Sequence, residues 1–136
     1  MKSHQQSRHF GMNAENFFRS RLNKFGIHYT FEDSWFDFLI NNKQKVEVKS
    51  CQLVVKNGKR SERGFRVGRF DFTDEANRKL QFKENIWIVF ILRHEDKFLL
   101  LGFTRSKYLQ KKRYVPLTEL RKISMINFQD WLLQIK

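Results

Sequence analysis

The amino-acid sequence predicts an α/β fold in which a mixed central β-sheet is flanked by helices. The continuous apolar run at residues 86–92 has the length and β-branched content of a buried strand, and a second run at residues 98–103 completes a hairpin with it. Two shorter apolar runs flank a polar turn within residues 35–51, which is typical of a second hairpin. The chain has 136 residues, which is enough for one domain with a substantial core.

The first predicted helix spans residues 12–25, and Asn13 and Gly26 are its expected start and stop signals. Residues 1–10 are polar, and we expect them to form a flexible arm before this helix. Glu15 lies in the first turn, where an acid either complements the helix dipole or faces the hairpin. The apolar face of the helix consists of Phe17, Phe18, Leu22 and Phe25.

Residues 27–31 are predicted to form a strand before the first hairpin.

A basic segment follows the first hairpin. It spans residues 56–69 and contains six Lys or Arg and three Gly. This composition predicts a basic loop that enters a strand near residues 65–70 and contacts phosphate groups. Its basic residues are Lys56, Lys59, Arg60, Arg63, Arg66 and Arg69.

A second helix is predicted at residues 73–82, with Thr73 as its cap. Ala76 and Leu80 are expected to belong to its buried stripe. Gln81 is expected to point outward or towards bound DNA.

The last part of the chain is predicted to form short elements. A basic segment that begins at residue 105 is expected to include a short helix, and Pro116 opens a turn. Residues 127–135 form a last amphipathic helix, with Asn127 as its cap.

The composition indicates the compartment of the protein. The single cysteine, Cys51, excludes an intrachain disulfide and fits a reducing environment. No zinc-site spacing of His and Cys is present. The first residues lack the apolar segment of a signal peptide, and the longest apolar run is too short to cross a bilayer. We therefore expect a soluble, cytoplasmic protein.

The net charge of +13 favours a polyanionic partner. Nucleic acid is the first candidate for this partner, and an anionic membrane surface or ribosomal RNA is the alternative. Charge alone predicts affinity, so the class of activity must come from particular residues.

The first hairpin carries an unusual set of charges. Asp37 lies on its first strand, and Glu47 and Lys49 lie two residues apart on the second. Residues i and i+2 of a strand share a face, so Glu47 and Lys49 emerge together while Val46 and Val48 point towards the core. If Asp37 and Glu47 converge, their carboxylates can hold Mg²⁺, which polarises a phosphodiester and acidifies a bound water. Lys49 would orient or deprotonate that water, or neutralise the developing phosphorane charge. The alternative is an exposed Asp beside an ordinary Glu–Lys surface pair.

This pattern resembles a known family. Asp37, followed by Glu47-Val48-Lys49 in a strand, looks like the motif of the PD-(D/E)XK nuclease superfamily. The sequence VEVKS is close to the form of the motif in archaeal Holliday junction resolvases and their relatives.

A second segment carries the same resemblance. The sequence FGMNAENFF, with Gly11 and Glu15, resembles the opening helix of the archaeal resolvases. The resemblance covers about residues 10–104 in the order αβββαβ. It leaves residues 105–136 as a C-terminal extension of a single nuclease domain.

The resemblance implies a restriction-endonuclease-like core and Mg²⁺-dependent DNA cleavage, with Mn²⁺ as a substitute. It implies that Asp37 and Glu47 are metal ligands and that Lys49 is the catalytic lysine. Glu15 would be a supporting acid from the helix, and Ser50 matches a residue that often follows the lysine. Because resolvases are dimers, a homodimer is also implied.

Three questions stay open at this point. The family's Pro before the Asp is Phe36 here, and Asp33 would replace Asp37 as the ligand if the hairpin were shifted. The DNA substrate is either a Holliday junction or other branched DNA, or a duplex or flap in repair, restriction or mobile-element biology. A basic nucleic-acid-binding module without activity is the alternative to an enzyme.

Overall fold

The computed structural model describes residues 2–56, 65–109 and 112–135, and it shows a five-stranded mixed sheet flanked by helices. This confirms the predicted fold class. The helices are α1 (Lys2–Lys24), α2 (Glu75–Glu84) and α3 (Phe128–Gln134), with 3-10 helices at Ser106–Leu109 and Leu117–Lys122. The strands are β1 (Tyr29–Phe31), β2 (Phe38–Ile40), β3 (Gln44–Gln52), β4 (Val54–Lys56), β5 (Phe65–Val67), β6 (Arg69–Asp71), β7 (Trp87–His94), β8 (Lys97–Arg105) and β9 (Tyr114–Pro116).

The main sheet has the strand order β1-β2-β3-β7-β8. Strands β3 and β7 pair in parallel, and the other neighbours pair antiparallel. Strands β4 and β5 form a separate two-stranded ribbon, as do β6 and β9. Strand β3 therefore lies between β2, which pairs with residues 44–46, and β7, which pairs with residues 46–52.

Alternate residues of β7 divide the core into two clusters. Trp87, Val89 and Ile91 belong to the cluster that contains residues of α1 and α3. Ile88 and Phe90 belong to the other cluster, which contains residues of β6, β9 and the two 3-10 helices. This period of two is the side-chain alternation of a strand that is buried on both faces, as the continuous apolar run predicts.

The first helix is longer than predicted. It begins at Lys2. The prediction of a flexible arm is therefore wrong for residues 2–10, and the prediction of an N-cap at Asn13 is also wrong. Residues 2–10 contain neither Pro nor Gly, so a helix anchored by packing farther along extends through them at little cost. Its fully buried stripe is Ala14, Phe18 and Leu22. Among the described residues, no helix combines the length and the apolar character that crossing a membrane requires.

The hairpin within residues 35–51 is confirmed as β2 and β3, which pair antiparallel. Asn41 and Asn42 turn the chain with φ values of +52° and +58°. Asn tolerates this left-handed conformation better than most residues, so the polar tip fixes the register of the hairpin. In that register Phe38 is opposite Val46, and both are fully buried.

The second helix begins later and buries a different face than predicted. Asp74 is its N-cap, so the prediction of Thr73 as the cap is wrong. Ala76 and Leu80 are exposed, and the buried residue of α2 is Gln81. The apolar stripe of this helix is too weak to fix its face, and the hydrogen-bond partners of Gln81 fix it instead.

Gly68, which lies between β5 and β6, allows the chain to pass close to the end of β3. The backbone of Gly68 lies against the end of β3, where a Cβ atom would overlap the carbonyl oxygen of Gln52. The Gly68 amide donates to the Leu53 carbonyl at 3.1 Å. Only glycine permits this approach. As a result β6 passes close to β3 and delivers Phe70 and Phe72 to the core beside it.

The C-terminal helix is part of the main core. Its predicted position and its cap at Asn127 are confirmed. The Trp131 ring stacks on Phe103 of β8, with 4.1 Å between ring centroids and 6° between planes. Helix α3 therefore seals the face of the sheet that α1 also covers.

We expect the Trp131→Ala substitution to lower the free energy of unfolding by about 3–5 kcal/mol, because it leaves a large cavity in the core. Leu133→Ala on the same helix is the matched control, since Leu133 is 68% exposed. Chemical denaturation of both variants measures the difference. Equal stability of the two variants would contradict the packing of α3 as a core element.

Candidate active site

Asp37 precedes β2 and is tied to β3 through two hydrogen bonds. Its backbone amide donates to the Val46 carbonyl at 3.0 Å. Its side-chain Oδ2 accepts a hydrogen bond from the backbone amide of Val48 at 2.8 Å. The carboxyl group of Asp37 is therefore turned onto the middle of β3, between the positions of Glu47 and Lys49.

Glu47 and Lys49 lie side by side on the same face of β3. The Lys49 Nζ is 3.6 Å from the Glu47 Oε2, and the two side chains are only 22% and 14% exposed. The Lys49 Nζ also lies 4.8 Å from the centre of the Phe72 ring, at cation–π distance. Val46 is fully buried on the opposite face, as the alternation of the strand predicts. The ammonium group is thus held between a carboxylate and an aromatic ring.

The carboxyl groups of Asp37 and Glu47 lie close enough that the ionisation of one affects the pKa of the other. Burial raises the pKa of Glu47 to about 9, and the charge of Asp37 adds to this while Lys49 opposes it. Burial also raises the pKa of Asp37, although its hydrogen bonds with Val48 and Glu47 favour the charged form. Without a cation, the carboxyl pair keeps a proton at neutral pH. A cation at this position would replace that proton.

Glu15 approaches the pair from α1. Burial raises its pKa to about 7, and the charges of Asp37 and Asp33 contribute in the same direction. The structure therefore brings Glu15 towards the hairpin. Asp33 lies in the connection before β2 with a φ of +46°, and its side chain is exposed. Of the two aspartates, Asp37 is the one whose side chain bonds the β3 backbone.

Gln81 is a further member of the site that sequence reasoning missed. It is 4% exposed, and its Nε2 donates to the Trp35 carbonyl at 2.7 Å. A hydrogen bond with the Gln81 side chain also favours the charged form of Glu47 and so lowers the pKa of that carboxyl. Leu80 and Phe82 flank Gln81 and are the stronger candidates for a buried position by sequence, so no local signal marks the amide.

The oxygen donors of Asp37 and Glu47 fit a hard divalent cation. Within the described parts of the chain, no group of three or more His, Cys, Asp or Glu side chains forms a complete metal cage. Mg²⁺ does not need one, because it commonly takes one or two carboxylates and keeps water and phosphate oxygens at its other positions. Two half-buried carboxyl groups with raised pKa values are consistent with such a partly open site.

The structure describes three of the six basic residues that are predicted to contact DNA. Lys59, Arg60 and Arg63 lie outside the described residues. Lys56 and Arg66 belong to the paired strands β4 and β5.

The sixth, Arg69, makes contacts within the protein. Its Nε is 3.2 Å from an oxygen of Asp71, and its guanidinium lies 4.5 Å from the centre of the Tyr114 ring. Its side chain is 41% exposed, so it is still accessible to a phosphate group.

Comparison with known proteins agrees with the geometry. A family model described as a PD-(D/E)XK nuclease superfamily domain matches residues 1–124. A search of curated proteins and a search of solved structures both found no match. The matched range covers most of the chain and includes all five side chains of the cluster, which are Glu15, Asp37, Glu47, Lys49 and Gln81. The chain belongs to the PD-(D/E)XK nuclease superfamily.

Proposed function

We propose that the protein is a Mg²⁺-dependent endonuclease that hydrolyses phosphodiester bonds in DNA, with Holliday junctions or other branched DNA as its preferred substrates. Membership of a nuclease superfamily whose members typically use divalent metal ions supports the general class of activity. The observation that carries the proposal is the convergence of Asp37, Glu47 and Lys49 on one hairpin.

Asp37 and Glu47 would hold the metal, and Mn²⁺ would substitute for Mg²⁺. When bound, the metal supplies Lewis-acid polarisation of the phosphodiester and a more acidic water. The backbone hydrogen bond from Val48 keeps the Asp37 carboxyl in place. Gln81 does the same for Glu47 from the neighbouring helix. Both carboxylates are therefore positioned before substrate binds, which reduces the cost of organising the site.

Lys49 would stabilise the negative charge that develops on the phosphate oxygens during attack by water. Its Nζ lies 3.6 Å from the Glu47 Oε2 and 4.8 Å from the centre of the Phe72 ring. Both contacts restrict the position of Nζ. Glu15 would act as a supporting acid that accepts or releases a proton near neutral pH, since burial raises its pKa to about 7.

DNA binding would use the basic segment between β4 and β6. We expect the combined substitution of Arg60, Arg63 and Arg66 with Ala to weaken DNA binding and to reduce the salt slope by about three, because each lost phosphate contact removes roughly one unit. Fluorescence anisotropy at several salt concentrations measures this slope. The combined substitution of Lys83, Lys97 and Arg121 with Ala is a charge-matched control at exposed positions elsewhere. An unchanged slope in the first variant would contradict a role for the segment in phosphate binding.

The substrate preference can be tested with four DNA structures of equal length. We expect purified protein to cleave four-way junctions and flaps faster than single-stranded or duplex DNA in Mg²⁺, and to cleave none of them in EDTA. Preference for duplex DNA would contradict the branched-DNA proposal. Binding without cleavage of any of the four would contradict the nuclease proposal and favour a non-catalytic binding module.

A homodimer belongs to the proposal for branched DNA, because two sites are needed to cut two strands of a junction in one binding event. Light scattering of the protein with and without a junction measures the number of chains. A single chain on the junction would contradict this part of the proposal without affecting the assignment of the site.

A further inference from the structure

A cavity of about 280 Å³ lies beside the candidate active site, between α2 and the 3-10 helix at Ser106–Leu109. Its walls include Phe72, Phe82 and Leu109. The charged side chains of Arg78 and Lys79 also line it. The cavity therefore offers aromatic and apolar surface in combination with positive charge, which is the chemistry that binds the base and the phosphate of a nucleotide.

Two of the residues that line this cavity also contact the candidate catalytic groups. The Phe72 ring lies below the Lys49 Nζ at 4.8 Å from its centre. The Gln81 side chain lines the cavity and hydrogen-bonds the Glu47 carboxyl. The cavity and the candidate site are therefore adjacent, because they share Phe72 and Gln81 as wall residues.

We propose that this cavity binds a single unpaired nucleobase of the strand that is cut, next to the scissile phosphodiester. The inference rests on the proposed function and adds the feature of the substrate that the site recognises. Pockets for drug-sized ligands have volumes of about 300–1,000 Å³, so a cavity of this size suits one flat heterocycle and is too small for a base pair. The base would stack against Phe82, as bases do on aromatic side chains in single-strand binding sites.

The positively charged side chains of Arg78 and Lys79 are placed to bind the phosphate groups of the nucleotide. The Lys79 side chain is 75% exposed, and its Nζ lies 3.5 Å from an oxygen of the exposed Glu75, a surface contact that a phosphate group would replace. Arg78 donates one hydrogen bond to the Lys112 carbonyl at 3.3 Å, and a guanidinium has five N–H donors in total. These two side chains would bind the phosphates on either side of the inserted base.

The cavity provides a physical reason for a preference between DNA structures. Removing a base from a duplex costs unpairing and unstacking energy, and this cost is least where the base is already unpaired. A site that requires an inserted base therefore favours branched DNA with an unpaired base next to the cut, such as a flap, over an intact duplex.

Scanning with abasic nucleotides tests the proposal through binding alone. Flap DNA carrying one abasic nucleotide at successive positions is bound to the Lys49→Met variant in Mg²⁺, and affinity is measured by fluorescence anisotropy. We expect one position to weaken binding about tenfold, because the stacking of one base is lost. Phe82→Leu, which removes the ring, and Leu109→Phe, which fills the cavity, should each abolish this position-specific loss.

Phe98→Leu is the matched control, since Phe98 stacks on Phe17 of α1 and does not line the cavity. It should retain the tenfold loss. Equal binding at all positions, or the same loss in Phe82→Leu and Leu109→Phe as in the control, would show that the cavity is a packing gap and overturn the inference. This experiment measures binding and not cleavage. If the wild-type protein failed to cleave DNA, that would contradict the proposed function but would not change the outcome of the abasic scan.

Discussion

Replacing Lys49 with Met should reduce DNA cleavage by about 10²–10⁴-fold and leave DNA affinity almost unchanged. The magnitude is that of removing one positioned electrostatic or proton-transfer group from an active site. Met retains the apolar stem of the side chain and its contact with Phe72, so the fold should not be affected. Single-turnover cleavage in Mg²⁺ and anisotropy binding on the same DNA measure the two quantities separately.

Lys43→Met is the control for this experiment, because Lys43 lies in the turn of the same hairpin and is exposed. It should cleave at the wild-type rate. A Lys49→Met variant that cleaves as fast as Lys43→Met would contradict the assignment of Lys49. A Lys49→Met variant that loses binding and cleavage in parallel would assign the lysine to substrate binding.

Replacing Glu47 with Gln should abolish cleavage, yet stabilise the metal-free protein at pH 8. Burial raises the pKa of Glu47 from its ordinary value of 4.5 to about 9. Between these values the folded state binds more protons than the unfolded state, so the stability of the wild-type protein falls as the pH rises. The variant has no carboxyl group to deprotonate at this position. Its melting temperature in EDTA should therefore exceed that of the wild-type protein at pH 8, and the difference should shrink at pH 5.

Saturating metal should reverse the order of the melting temperatures of the wild-type protein and the Glu47→Gln variant. Saturating Mg²⁺ binds the folded wild-type site and raises its melting temperature, whereas the Glu47→Gln variant lacks a carboxylate ligand and should shift little. Glu84→Gln is the control, since Glu84 is an exposed partner of Lys45. A Glu47→Gln variant that is less stable than the wild-type protein at every pH, or that shows the same shift in Mg²⁺, would contradict the account of this carboxyl group.

The hairpin could be predicted from sequence because several local signals agree there. The valines and the charged residues of β3 alternate, the turn contains residues that tolerate a positive φ, and the pairing follows directly. The approach of Asp37 to Glu47 also follows from this register. The sequence favours Asp37 over Asp33, because Asp33 precedes the strand, and the structure adds a hydrogen bond from the Val48 amide to the Asp37 side chain.

The environment of the hairpin could not be predicted in the same way. Gln81 is buried by its bonds with Trp35 and Glu47, which are distant in sequence, and the apolar residues beside it indicate the wrong face of α2. The start of α1 was missed because residues 2–10 lack an apolar stripe, although they also lack any residue that stops a helix. In both cases tertiary packing outweighs the local pattern.

Cleavage of covalently closed circular DNA that carries an extruded cruciform tests the central claim most directly, since only an endonuclease can cut a circle without ends and the cruciform supplies a four-way junction. We expect wild-type protein in Mg²⁺ to convert closed circles into nicked and linear forms. In EDTA the wild-type protein should leave the circles intact, and so should the Lys49→Met variant in Mg²⁺. Circles that stay intact while the wild-type protein is bound to them in Mg²⁺, or that are cut at the same rate by the Lys49→Met variant, would contradict the assignment of this site as a metal-dependent endonuclease.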